Sequence, residues 1–294
     1  MVNFIRSRSR PKLYIGTAFL TLLMGLTGPV AAEPVAIVTD LSGKISVPGD
    51  PKKSSVTILA EIDVDTKLKL EDGARLVVLY TRLGDEYALS GPALIQFKAA
   101  ELVALSGAKP QKRASPLGKS VDIRIKPAGI TQAAFVMRGG SSAARIKLLS
   151  LSGTRTLDPD PEFRWQEIQP GAKYRFGLYD DTGRSLYETD AEATSLKLPP
   201  SIQLREGMVY TWDVSTRQPD GRRYVNSGNF SVAPADLRAQ AAALRPAPDA
   251  PVSSRVAVAA WLDQMELRDE ARKYWHALAV ERPEDVRLKA LAGG

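Results

Sequence analysis

The stretch LKLEDGARLVVLY, residues 68–80, shows the pattern that decides the fold of the N-terminal half of the chain. Apolar residues alternate with polar ones on both sides of Glu71-Asp72-Gly73, and alternation with period two is typical of strands that bury one face. The glycine supplies the positive φ that a tight turn requires. The stretch therefore predicts two strands, at 62–70 and 74–80, joined as a hairpin.

The same pattern extends outward in both directions. Further short strands are predicted at 36–38, 44–47, 56–59, 87–89, 94–97 and 102–105. Turn signals such as Leu41-Ser42-Gly43 and Ser90-Gly91-Pro92 separate them. Residues 33–108 are therefore expected to form a module that consists of β-strands alone, which we call the first module.

Residues 68–79 resemble the core motif of the FecR-like domain family, in which a turn ending in Asp-Gly separates two apolar stretches. The segment EYALSGP, residues 86–92, is similar to the segment that follows this motif in the family. Glu61 and Asp65 stand where the family usually has glycines. The resemblance covers residues 34–108 and implies an extracytoplasmic β module used in envelope signalling and binding, with no catalytic residues to carry over.

A second module with a different signature is expected at 144–234. Segments of aromatic or branched residues alternate with polar ones, and seven short strands in this length predict a β-sandwich. Trp165 and the segment 204–210, which ends in Tyr210, resemble the core tryptophan and the tyrosine corner of a fibronectin type III domain. The resemblance implies that the Tyr210 hydroxyl is bonded to the backbone.

Three tyrosines of the second module are candidate surface aromatics: Tyr174, Tyr179 and Tyr187. On an exposed face they would offer a surface for sugars. The alternative is that they belong to the core, where most of the aromatic side chains of a sandwich lie.

After Pro234 the period of the apolar residues becomes helical, and residues 235–294 are expected to form a short helical hairpin. Ser253 or Ser254 is expected to cap its first helix, and Pro283 to stop its second. Apolar residues stand at the spacings of a tetratricopeptide repeat: Val258, Ala259, Leu262, Ala271, Trp275 and Pro283. Such a hairpin would pack on the sandwich or add to the helices of a partner.

Residues 1–32 have the features of an export signal. Four basic residues precede an uncharged apolar run at 14–28, and small residues lead up to Ala32. We expect cleavage after Ala32 and a periplasmic protein, although a run of this length could also be retained as an anchor.

The net charge of +7 suggests nucleic-acid binding, but its distribution argues against it. Four basic residues belong to the signal, and their removal leaves +3. Residues 109–143 form a basic connector in which Asp122 is the single acidic residue. Its basic residues are a candidate patch for anionic partners: Lys109, Lys112, Arg113, Lys119, Arg124, Lys126 and Arg138. The alternative is a solvated linker, since Phe135 is its one aromatic residue for base stacking.

Composition disfavours catalysis. The chain has no cysteine and a single histidine, His276, so thiol nucleophiles, thiolate metal sites and paired imidazoles are excluded. We expect no catalytic residues, no cofactor and no metal.

The expected function is that of a non-enzymatic exported envelope protein, a protein-interaction or sensory module. The alternative is binding of peptidoglycan or another anionic wall polymer. Expected partners are an envelope protein, a wall polymer or a membrane sensor. We do not expect a nucleic acid as partner, and we do not expect the chain itself to be an integral membrane protein once the signal is cleaved.

Overall fold

The computed structural model describes residues 34–49, 56–115, 117–118 and 145–293. These residues are mainly β, as predicted, with helices near the C-terminus. The export signal and the strands expected at 121–125 and 134–137 lie outside the described residues. Four members of the basic patch also lie outside them: Lys119, Arg124, Lys126 and Arg138.

The first module consists of two sheets packed face to face. Its strands are β1 Pro34–Ser42, β2 Ile45–Ser46, β3 Glu61–Asp63, β4 Lys67–Leu70, β5 Arg75–Tyr80, β6 Asp85–Ser90, β7 Ala93–Phe97, β8 Leu102–Gly107 and β9 Gln111–Ala114. The first sheet has the order β3-β1-β5-β6-β9, and the second sheet has the order β2-β4-β7-β8. Strand β9 lies within the stretch expected to be a connector, so the first module continues to Ala114.

The expected hairpin at residues 62–80 is wrong, although its turn is present. Gly73 has a φ of +71°, and the Ala74 amide donates to the Glu71 carbonyl at 3.1 Å. Strand β4 before the turn pairs in the second sheet, whereas β5 after it pairs in the first. The turn therefore passes the chain between two sheets that share one core. The strand expected at 56–59 is also absent, and this segment bonds to β1 through Leu59 and Ala60.

The β-sandwich expected at 144–234 is confirmed. Its strands are β10 Thr154–Thr156, β11 Glu162–Arg164, β12 Tyr174–Tyr179, β13 Ser185–Ala191, β14 Ser195–Lys197, β15 Val209–Arg217 and β16 Arg223–Val232. The third sheet has the order β10-β16-β15-β12-β13, and β11 pairs with β14. Trp165 lies in the core with Phe163 and Trp212, each at most 1% exposed. The Tyr210 hydroxyl accepts a hydrogen bond from the Arg205 amide at 2.7 Å, as the tyrosine corner predicts.

The C-terminal region contains four helices rather than a hairpin alone: α1 Ala235–Ala243, α2 Val252–Gln264, α3 Arg268–Glu281 and α4 Val286–Ala292. The expected serine cap is wrong, since the residue before α2 is Pro251 and no side chain caps the helix. Ser253 is 1% exposed, and its hydroxyl accepts from the Arg113 guanidinium at 3.3 Å.

The helices lie between the two β modules. Ile37 and Leu79, on the outer face of the first sheet, share one apolar core with Trp261 and Trp275 of the helices. On the other side, the Asp269 carboxylate of α3 accepts from the Leu151 amide of the second module at 2.8 Å. The helical region therefore packs on both modules of its own chain.

Candidate functional site

The outer face of the first sheet is covered by helices at one end and open at the other. Cross-strand pairing places Arg75 between Ser42 and Ser90 at the open end. The next outward-facing pair toward the helices is Val77 and Ala88. The pair after it includes Leu79, which the helices cover. Since the side chains of a strand alternate between faces, Arg75 points away from the core of the first module.

A cleft of about 470 Å³ lies at this open end, between the sheet and the helices. Pro251 and Ser253 at the beginning of α2 form one wall. Its charged lining residues are Asp40, Arg75, Lys109, Arg113 and Arg282. Four cations thus surround one cleft with a single carboxylate among the lining residues.

Two of these cations are held by carboxylates, and two are not. Arg282 donates to Asp40 at 2.6 Å, and Arg113 is bonded to the buried carboxylate of Glu86. Among the described residues, Arg75 and Lys109 form no ion pair. These two side chains remain available to an anion from outside.

The described members of the basic patch do not form one continuous surface. Lys109 lines the cleft. Lys112 and Arg113 are neighbours on β9 and point to opposite faces of the first sheet. Lys112 is paired with Asp85 at 2.8 Å, and the hydrogen bond to this carboxylate raises the pKa of Lys112. Neither Arg75 nor Arg282 was predicted from the sequence, because no local signal brings these distant residues together.

The three candidate tyrosines occupy different environments. Placing Tyr174 on the surface is wrong: it is 2% exposed, contacts the Trp165 ring and accepts from the Ile168 amide at 3.0 Å. Tyr187 is half-buried and packs against the same core. The sequence signal for a buried Tyr174 is its alternation with Phe176, which lies two residues later on the same face of the strand.

Tyr179 lies on the outer face of the third sheet. Its ring lies across Gly177, where an added Cβ would stand 2.5 Å from the Tyr179 hydroxyl oxygen. The Asp213 carboxylate faces this hydroxyl: burial raises the pKa of Asp213, and the Tyr179 hydroxyl opposes that rise. Burial likewise raises the pKa of Tyr179. A side chain at position 177 would displace the tyrosine ring, so the glycine leaves the space in which the ring lies.

Charged side chains surround Tyr179 on this face. Arg175 donates to Glu188 at 2.8 Å and to Asp190 at 3.4 Å. Farther along β15, Thr211 and Val209 are exposed, the latter by 49%. We call the surface of Arg175, Tyr179, Glu188, Thr211 and Asp213 the outer face of the third sheet. It combines one fixed aromatic ring with a polar surround.

His276 lies in a groove between α3 and the second module, beside Asp269 and Arg272. Within the described ranges, no group of three or more histidine or acidic residues has a geometry that could hold a metal ion. None of the helices in this part of the chain is long and apolar enough to cross a membrane.

Comparison with known proteins finds no matching family model and no matching curated protein. Among solved structures, CopC from Methylosinus trichosporium OB3b is similar at 19% identity and a TM-score of 0.25, over 31% of this chain and 95% of CopC. The fn3 domain of human collagen alpha-1(XX) chain is similar at 20% identity and a TM-score of 0.24, over 38% of this chain and 94% of the domain. PorZ, a surface component of the type-IX secretion system of Porphyromonas gingivalis, is similar at 15% identity and a TM-score of 0.21, over 56% of this chain and 22% of PorZ. None of the three carries a function over to this chain.

Proposed function

We propose that this chain is a non-enzymatic, exported protein of the cell envelope that binds another envelope protein through the outer face of the third sheet. The observation that carries the proposal is the ring of Tyr179, which packs across Gly177 beside the Asp213 carboxylate. A tyrosine whose rotamer is already fixed loses little conformational entropy when a partner covers it. Such residues are preferred anchors at protein interfaces.

The surroundings of Tyr179 support the same proposal. Protein interfaces usually have an aromatic centre and a polar rim, and Arg175 with Glu188 supplies such a rim. The helices cannot supply the docking surface along α2, because that helix is buried between the first sheet and α3. The export signal and the FecR-like resemblance of the first module favour an envelope partner, with the sensory role that this family implies.

Site-specific crosslinking in intact cells tests this proposal. A photoreactive amino acid at Thr211, on the proposed surface, is expected to trap a discrete envelope protein. The same probe at Val286, which is 79% exposed on α4, is the matched control and should not trap it. Tyr179→Ala in the probed chain is expected to reduce the adduct about tenfold, as loss of a central aromatic anchor does. An adduct that persists in Tyr179→Ala, or forms equally at Val286, would contradict the proposal.

A second candidate function, binding of peptidoglycan or another anionic wall polymer, is favoured by Lys109. This lysine forms no ion pair among the described residues and is the first residue of the basic connector. The chain would then co-sediment with sacculi at low ionic strength and be released by salt, since such contacts are screened. Failure to co-sediment at low ionic strength would eliminate this candidate.

A further inference from the structure

We infer that the cleft between the first sheet and the helices is a binding site for a small organic polyanion with phosphate or carboxylate groups. This inference goes beyond the proposed function, which concerns the third sheet of the other module. It rests on four cations that three separate parts of the fold bring to one cavity.

Arg75 is the central residue of the site. It stands between Ser42 and Ser90 on adjacent strands, so one guanidinium and two hydroxyl groups lie in a row across the sheet. A guanidinium donates two parallel hydrogen bonds to a carboxylate or a phosphate, and a hydroxyl can donate a third. This row therefore matches an anionic group with several acceptor oxygens.

The charge balance of the cleft favours an anion. Its lining contains four cations and one carboxylate, Asp40, which is already paired with Arg282. Arg113 is paired with Glu86, which is not one of the lining residues. Arg75 and Lys109 have no partner of opposite charge among the described residues, and an anion between them would gain attraction from both in a partly enclosed space.

The dimensions of the cleft favour a small ligand. About 470 Å³ lies in the lower part of the range that small-molecule sites occupy. The side chains of the row beside Arg75, Val77 and Ala88, are small, which keeps the cleft open to the sheet surface. The first turn of α2 contains no acidic residue, so nothing in it opposes a bound anion.

The chain's own basic stretch does not have the charge of the expected ligand. Residues 119–143 contain Lys119, Arg124, Lys126 and Arg138 against Asp122. A cationic segment would be repelled by Arg75 and Lys109. Charge complementarity therefore points to an anion from outside the chain.

Calorimetric titration of the full chain with inorganic pyrophosphate and with citrate tests the inference. We expect at least one of them to bind at low ionic strength and to raise the melting temperature. Arg75→Gln and Lys109→Gln are each expected to weaken binding about tenfold, as the loss of one charge-assisted contact does. Both side chains are exposed, so the variants should fold normally, which circular dichroism would verify.

Exposed cations outside the cleft supply matched controls. Arg205→Gln in the second module and Lys67→Gln on the second sheet should leave binding unchanged. Pyrophosphate binding alone would assign the site to phosphates, and citrate binding alone would assign it to carboxylates. The inference would be overturned if neither anion bound, or if the cleft variants and the controls weakened binding equally. Crosslinking from Thr211 should persist in Arg75→Gln, which separates this inference from the proposed function.

Discussion

The helical region is joined to the two β modules by two different kinds of contact. Toward the first module the contact is apolar: Ile37 and Leu79 of the first sheet lie in the same core as Trp261. Toward the second module the apolar contact is smaller, with Ala233 and Leu157, and is accompanied by hydrogen bonds to backbone groups. The Glu266 carbonyl accepts from the Arg155 amide at 2.7 Å, and the Asp269 carboxylate accepts from Leu151.

This difference has an energetic consequence. A shared apolar core stabilises in proportion to the area it buries, whereas each hydrogen bond contributes about 1 kcal/mol net. We therefore expect the helices and the first module to unfold as one cooperative unit. The second module, with its own aromatic core around Trp212, should unfold separately.

The largest expected effect is that of Trp261→Ala, which creates a cavity in the shared core. We expect a loss of about 3–5 kcal/mol, with helices and first module losing structure at the same urea concentration. Trp212→Ala is the matched control and should destabilise the second module alone. Amide hydrogen exchange across a urea series would measure both. Loss of protection in β12 and β15 of Trp261→Ala would show that the two units are one.

Arg113→Met tests an ion pair at the apolar contact between the helices and the first module. It leaves Glu86, which is 2% exposed, with a buried charge and no partner, at an expected cost of about 3 kcal/mol. Adding Glu86→Leu removes that charge and should restore most of the stability. Lys112→Met, one residue away and paired at the surface, should have little effect. Equal losses from Arg113→Met and Lys112→Met in urea unfolding would refute this explanation.

Asp269→Ala weakens the hydrogen-bonded contact between the helices and the second module. It removes the acceptor for the amide of Leu151, which has a left-handed φ of 55°. The expected loss is about 1–2 kcal/mol, confined to faster amide exchange around residues 151–156. Asp269→Asn keeps an acceptor oxygen and should lose less. Lower protection from amide exchange in the first sheet would mean that the contacts of the helices with the two modules are not independent.

The smallest effect is a pH dependence within the helices. Burial raises the pKa of Asp263, while the hydrogen bond from the Trp275 indole at 2.7 Å opposes that rise. A raised folded-state pKa means that the folded protein binds the proton more tightly than the unfolded chain. Its contribution is therefore present below the unfolded value of 3.8 and is lost as pH rises through the folded value. Asp263→Asn should flatten this part of the stability–pH curve, measured by urea unfolding. An unchanged slope would contradict the assignment.

Local patterns predicted the elements of the fold, but not how they combine. The strands of residues 62–80 and their turn at Gly73 follow from alternation and glycine chemistry. Alternation says only that one face of a strand is buried, so it cannot distinguish a hairpin from a turn that passes between two sheets. The tyrosine corner at Tyr210 was predictable because its hydroxyl bonds to a backbone group five residues away.

The cleft could not have been predicted in the same way. Arg75 stood in the stretch that indicated strands, where a polar residue signals only an outward-facing position. Its partners in the cleft, Lys109 and Arg282, come from the end of a strand and the end of a helix. Only the long-range packing of helices on the first sheet brings them together.

The contact between Asp40 and Arg282 joins residues 242 positions apart. The ribosome makes the first sheet long before it makes the helices that cover Ile37 and Leu79. A first module that folded before the helices packed on it would expose this apolar face, and such surfaces are prone to aggregation. A chain truncated before Ala235 would keep that face exposed. Packing of the C-terminal helices is therefore expected to complete the fold of the first module.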